Sequence, residues 1–437
     1  MVIRVSKVTN PAELREFCDL PLRLHPPELY VPVPEQRIQA WYRGTGPQRR
    51  YGPVDLYLAR DGGGRVVGRT CLHRNTDLDR RLGRPVQLFG LTEFADRAAM
   101  DVDGDDPAKE LLDLAEQAAT VSGCDLLLGP AALLPDRSPG VLTSGFDLRG
   151  CSDGGWNPAH YAAAYARHGF SPRWPGQTWL CEGLDDPGRL PPEKAFAFDE
   201  RRIQDERLVV HRGRRRALRR VLPRLLGILN PAPERNPAPG QPARVERVER
   251  AERGGEVSAA DFADFVDYAD LAGRAALDPD LLLYLTRAGE PVSFLLAVPD
   301  PSVHPGGAGA PQGRPTLQAW QALQGLQART APLLRRGLRP AAQQGPARPW
   351  GQAQQQTQGR RRGAEAVLVA SGTAPQWQRR GYSTLLAREL YRNLGAGGYA
   401  TLRGRRVPPG DRAAEAPYRG MGGRPLQQSV FYERSLR

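Results

Sequence analysis

Gln378-Arg379-Arg380-Gly381-Tyr382-Ser383 is the stretch whose residue types can act on a charged ligand. Residues 364–371 before it form an apolar, valine-containing run with the pattern of a buried strand, and Pro375 ends that run. After it, Leu385, Leu386, Leu390 and Leu394 recur at helical spacing. The unit is therefore a strand, a glycine-containing turn and a helix. A helix start offers amides without intrahelical acceptors and the positive end of the dipole, which together hold phosphate. Gly381 lets the backbone approach a ligand, Ser383 is too small to block it, and Arg379 and Arg380 add positive charge. The plainer reading of the same residues is a strand–helix turn with arginines on a solvated face.

Other chemistries are argued against by what is missing. There is no G-K-[ST], so no P-loop, and no G-x-G-x-x-G, so no Rossmann turn. No G-x-S-x-G occurs, so no hydrolase elbow is expected. The histidines, His25, His73, His160, His168, His211 and His304, form no H-x-x-x-H or H-E-x-x-H set, and no metal site is expected. Cys18, Cys71, Cys124, Cys151 and Cys181 are odd in number and lack a C-x-x-C pair, which suits a reducing cytoplasm and ordinary packing. No apolar run is long enough to span a membrane, and the first residues lack the apolar region of a signal peptide. A net charge of +13 attracts polyanions, but the arginines are spread along the whole chain. The basic run at 212–220 shares its helix with Leu218, Val221, Leu222 and Leu225, which fits one buried face better than a nucleic-acid surface.

The elements that position the turn follow from periodicity. With 437 residues and 40% hydrophobic content the chain is expected to build two or more cores. In the first half, a helix is expected at 11–25, capped by Asn10, and a hairpin at 54–59 and 65–73. A strand at 86–94, a helix at 107–121, a strand at 124–128, a helix at 161–168 and a short strand at 179–181 follow. The second half repeats the plan. It has a strand at 207–211, helices at 214–229 and 261–272, and a hairpin at 281–286 and 292–298. After the central unit come a strand at 400–404, a helix at 412–419 and a strand at 428–432. Residues 231–255 read as a loop, and 300–363 as a low-complexity insertion whose 317–338 portion can hold one or two short helices. The halves also align in detail, with residues 123–129 facing 398–404 and 165–170 facing 418–423.

Gln378-x-x-Gly381-x-Ser383 after Pro375 resembles the acetyl-CoA signature [QR]-x-x-G-x-[GA] of the GNAT acyltransferase superfamily, with serine at the last position. Asp411, Ala414 and Tyr418 resemble its late helix signature N-x-x-A-x-x-x-Y-x-x-x-G-F, which departs at Gly423, where phenylalanine is expected. The whole chain is similar to the bacterial double-domain members. The resemblance implies an α/β (α+β) fold of two tandem lobes, 1–188 and 189–437, each a mixed, mostly antiparallel sheet flanked by helices. It implies transfer of an acyl group from acetyl-CoA to an amine by direct attack. Gln378, Arg379, Arg380, Gly381, Tyr382 and Ser383 would hold the CoA pyrophosphate, and Ser371, Gly372 and Thr373 would lie along the pantetheine arm. Tyr418 would protonate the departing thiolate. Glu365, a carboxylate on a buried strand, is the candidate base.

In the first lobe the matching turn is Asp101-Val102-Asp103-Gly104-Asp105-Asp106-Pro107, whose aspartates repel a pyrophosphate and instead suit the helix start itself. That lobe is expected to be degenerate in cofactor binding. The alternative is a GNAT-fold protein that binds CoA or another ligand without turnover, or serves as an interaction module. A basic nucleic-acid-binding protein is the third reading. The acceptor amine, the length of the acyl group and the oligomeric state are left open by the sequence.

Overall fold

A computed structural model describes residues 3–45, 52–100, 106–131, 140–151, 155–229, 278–300 and 363–436. The helix expected at 261–272, the loop at 231–255, the segment at 317–338 and Asp101 to Asp105 lie outside the described residues.

The first half runs β1 (Arg4–Lys7), α1 (Pro11–Leu24), α2 (Glu35–Tyr42), β2 (Val54–Arg60), β3 (Val66–His73), α3 (Thr76–Leu82) and β4 (Val86–Phe94). It continues with α4 (Pro107–Val121), β5 (Leu126–Gly129), β6 (Val141–Ser144), α5 (His160–Arg167) and β7 (Ser171–Cys181). The second half runs α6 (Pro192–Ala195), α7 (Glu200–Asp205), β8 (Leu208–Arg212), α8 (Arg215–Leu229), β9 (Leu282–Arg287), β10 (Glu290–Pro299) and β11 (Ala364–Thr373). It ends with α9 (Tyr382–Ala396), β12 (Tyr399–Val407), α10 (Arg412–Gly420) and β13 (Arg424–Ser435).

The strands join into one sheet in the order β1-β2-β3-β4-β5-β13-β7-β12-β11-β10-β9-β8, with β6 on β13 off this path. Among the described residues the pairings are antiparallel except β4 with β5 and β11 with β12. These two parallel pairs mark equivalent places in the halves. Each encloses a helix whose apolar stripe faces the sheet. In α9, Leu385, Leu386, Leu390 and Leu394 pack on Leu283, Leu285, Leu295, Leu368 and Leu402. Each buried leucine contributes about 2 kcal/mol by removing its apolar surface from water. In α4, Leu111, Leu112, Ala115 and Ala119 do the same against Phe89 and Leu127.

The last strand of each half pairs across the middle of the molecule. β13, at the end of the second half, sits between β5 and β7, and β7 sits between β13 and β12. β7 is eleven residues long, where the sequence suggests only 179–181, and β13 is twelve. Pro172, Pro175 and Gly176 hide the first part of β7 from a propensity reading. The pairing of β7 with β13, from Leu180↔Arg424 to Ser171↔Glu433, overrides it. This exchange also explains Gly423. A Cβ there would come within 2.6 Å of Cys181 Sγ and 2.8 Å of the Tyr418 carbonyl oxygen, so the expected phenylalanine has no room.

Candidate functional site

β11 and β12 pair only over their first halves, from Ala364↔Tyr399 to Leu368↔Gly404. Beyond that point they part. β11 stays on β10 as far as Thr373↔Ser293, and β12 stays on β7, from Leu402↔Cys181 to Val407↔Gln177. Both strands are irregular where they part: the register of β11 with β10 shifts between Leu296↔Ala370 and Ala297↔Leu368, leaving Val369 as the extra residue, and that of β12 with β7 shifts between Gly404↔Trp179 and Val407↔Gln177. The result is a slot whose β11 edge, from Val369 to Thr373, lacks a strand partner among the described residues. Unpaired edge amides and carbonyls are a template for an extended ligand.

The proposed phosphate turn stands at the head of this slot. Ser293 Oγ donates to the Gly372 carbonyl at 3.0 Å and lies 2.8 Å from Thr373 Oγ1, which holds the strand end still. Gln378 Nε2 reaches back to the Thr373 carbonyl at 3.3 Å and closes the loop. Arg379 has φ 60°, a left-handed conformation that costs a non-glycine residue about 1–2 kcal/mol. Gly381 caps α9 with φ 76° and ψ 11°, and no side chain caps that helix. Its carbonyl accepts from the amides of Thr384 and Leu385, at 3.0 and 3.1 Å. The amides of Gly381, Tyr382 and Ser383 find no acceptor among the described residues. An uncapped helix start whose amides lack acceptors is the physical requirement for an anion.

The other residues of the turn divide by role. Arg380 and Arg287 stack on Trp377 at 5.1 and 4.3 Å, and Arg202 Nη1 donates to the Arg380 carbonyl at 3.1 Å. The Tyr382 side chain is buried in the core with its hydroxyl on Glu206, so only its amide faces a ligand. Burial, followed by that carboxylate, pushes its phenol up. Ser371 is exposed at the slot. Ser383 and Thr384 line a cleft of about 670 Å³ between α9 and α10, opposite Gly410, Arg412 and Arg419. Arg419 is held by Glu415, while Arg412 makes no ion pair among the described residues.

Tyr418 and Glu365 fare differently. A Cβ at Gly404 would fall 2.5 Å from Tyr418 Cε1 and Cζ, so the phenol tip rests on the residue where the parallel ladder ends. The ring is buried and stacks on Trp179 at 5.8 Å. Burial pushes its ionisation well above the ordinary range, and the positive charge of Arg405 opposes that. The group is therefore a protonated phenol, able to donate, at the narrow end of the slot. Glu365 is not placed to act as the base. It lies inside the paired part of the β11–β12 ladder, three residues before Leu368, or roughly 10 Å along the strand from where the slot opens. Its carboxylate is occupied by Arg149 at 2.7 Å, Arg403 at 2.9 Å and the Thr401 hydroxyl at 3.2 Å. It ties the first half to the second.

The equivalent place in the first half is closed. Asp106 caps α4, accepting from the amides of Ala108 at 3.1 Å and Lys109 at 3.4 Å. Its other oxygen meets His168 at 3.0 Å and Arg167 at 3.3 Å. Burial disfavours this carboxylate's charge, but those partners outweigh it and hold its pKa below the usual range. Two features of the candidate site escape the sequence. Arg405 crosses the slot to the Val369 carbonyl, and Trp377 is clamped by two guanidiniums. The sequence signal for the first is Gly404-Arg405-Arg406, a glycine followed by arginines, which says nothing of the direction a side chain takes.

Among the described residues no helix is long and apolar enough to cross a membrane, and no group of three His, Cys, Asp or Glu could hold a metal ion. No protein-family model and no curated protein sequence matches the chain. Solved structures do match in fold. One is a tandem GNAT protein from the clavulanic acid biosynthesis pathway, at 12% identity and TM-score 0.51, covering 99% of this chain and 98% of that one. Another is a fungal multi-domain beta-N-acetylglucosaminidase with a GCN5-related glucosamine N-acetyltransferase region, at 13% identity and TM-score 0.51. That match covers 99% of this chain, which spans 38% of the fungal protein. The likeness establishes the fold as that of tandem GNAT proteins.

Proposed function

We propose that this chain, which has the fold of tandem GNAT proteins, transfers an acyl group from acyl-CoA, with acetyl as the simplest donor, to an amine. The observation that carries the reading is the uncapped start of α9. Its acceptor-free amides at Gly381, Tyr382 and Ser383 stand at the head of a slot between diverging strands. A CoA molecule has a diphosphate for those amides and a linear, amide-bearing arm for the edge of β11. The cleft beside Ser383, with Arg412 across it, suits the nucleotide end. The chemistry needs a neutral amine, donors for the thioester oxygen and a proton for the leaving sulfur. Amides of the β11 edge serve the oxygen, and Tyr418 serves the sulfur. Glu365 takes no part, and the amine loses its proton to solvent. The first half contributes structure, because Asp106 fills the helix start that a second cofactor would need.

Acetyl-CoA is expected to raise the melting temperature, because a ligand at a hundred times its Kd stabilises the native state by about 2.7 kcal/mol. Gly381→Glu places bulk and negative charge beside the diphosphate, in a backbone conformation that suits glycine. The shift should vanish in that variant while its unliganded melting temperature falls by only a few degrees. An unchanged shift in Gly381→Glu, or none in the parent protein, refutes the site.

A further inference from the structure

Arg405 follows Gly404, the residue at which the β11–β12 ladder ends. Its Nη1 donates to the carbonyl of Val369 on the opposite strand, so the side chain lies across the slot. Val369 is the bulge residue, left out of the β10 ladder. The backbone of the same Arg405 hydrogen-bonds the Tyr418 hydroxyl, and its positive charge acts on that phenol. Tyr418 lies on Gly404, directly before it. Arg405 thus links two groups where the slot narrows: its guanidinium holds an edge carbonyl of β11, and its backbone meets the phenol from α10. The guanidinium holds the carbonyl that an incoming amide-bearing arm would use.

We propose that Arg405 is a positioning residue for protonation of the leaving group: it yields the Val369 carbonyl to the pantetheine arm and keeps its charge beside the Tyr418 oxygen while the thioester breaks. This rests on the acyltransferase reading above. In the step, the amine nitrogen attacks the thioester carbonyl carbon and a C–N bond forms. The C–S bond breaks and its electron pair goes to sulfur. Sulfur takes the Tyr418 proton, giving the CoA thiol and a phenolate. The phenolate then takes back, through solvent, the proton that the acylated nitrogen sheds. A phenolate is costly among Trp179, Gly404 and Cys181 unless a positive charge faces it, and Arg405 supplies one. Lysine would keep the charge without the planar fork, and glutamine would remove it.

The test is thiol release from acetyl-CoA by the full chain, with hydroxylamine as a small nucleophile that is neutral at neutral pH. It is run as a double-mutant cycle of Arg405→Gln and Tyr418→Phe, with Arg405→Lys as control. CoA binding and thermal unfolding are followed in each variant. Arg405→Gln should lower kcat about tenfold, the effect of one unit in the acidity of the donor. Arg405→Lys should recover most of it. In the Tyr418→Phe background, Arg405→Gln should change kcat by less than about twofold, since the group it serves is gone. CoA affinity should stay within a few-fold of the parent. An equal loss in both backgrounds, with CoA still bound, overturns the inference and leaves the acyltransferase reading standing. CoA binding without thiol release in the parent protein removes Tyr418 as donor and the inference with it. Failure to bind CoA defeats the reading on which both rest. Should Arg405→Gln not fold, the same cycle with Arg405→Met decides.

Discussion

Glu365 shows how the same residue type can serve chemistry or cohesion. A carboxylate on a buried strand is a reasonable base when only the strand is known. The contacts decide otherwise, because two guanidiniums from opposite halves, on Arg149 and Arg403, occupy it. Arg403 also donates to the Arg149 carbonyl at 2.6 Å, and Asp300 stands 3.9 Å from Arg149. Glu365→Gln keeps the shape but leaves the arginines short of a counter-charge. Breaking a buried pair by removing one partner costs about 3 kcal/mol or more. Chemical denaturation should show a loss near that size, while thiol release per folded molecule stays at the parent level. A kcat collapse with unchanged stability would return Glu365 to the reaction.

Two helices in equivalent places, α4 and α9, differ at one end. α9 begins on a left-handed glycine with acceptor-free amides, and α4 begins on an aspartate that satisfies its own. Asp106→Ala should therefore cost about 1 kcal/mol for the lost cap, and more for the lost ion pairs. The sign with pH follows from the depressed carboxyl. Its stabilisation is full above the unfolded-state value near 4, and it is lost as pH falls through the lower folded-state value. Urea titrations of parent and Asp106→Ala should differ at neutral pH and converge in strong acid. Parallel curves at both would show that Asp106 is not the working cap. This contrast is largely legible in the sequence. Asp106-Pro107 against Gly381-Tyr382 is a local difference, and helix starts are governed by the residues at the start.

At the scale of the molecule, neither half completes its own strand order. β5 needs β13 from the second half, and β12 needs β7 from the first. We therefore expect residues 1–188 and 189–437, produced separately, to expose unpaired strand edges and to aggregate or stay partly unfolded. Produced together, they should co-purify as one complex with cooperative melting. Two soluble, cooperatively folding halves on their own would show that each sheet closes without the exchange.

Periodicity and turn chemistry determined much by themselves. Strand, glycine turn and helix around Gly381, the amphipathic faces of α4 and α9 and the doubling of the plan depend on residues a few positions apart. Partners far along the chain were decided only in three dimensions. Glu365 meets Arg149 across 216 positions, Gly423 is crowded by Cys181 of β7, and Arg405 spans a slot that opens where β11 and β12 both shift register against their outer partners. Local dihedral preference and side-chain spacing carry no record of which distant edge a strand will meet. That choice is made by packing, and with it the direction in which each charged side chain points.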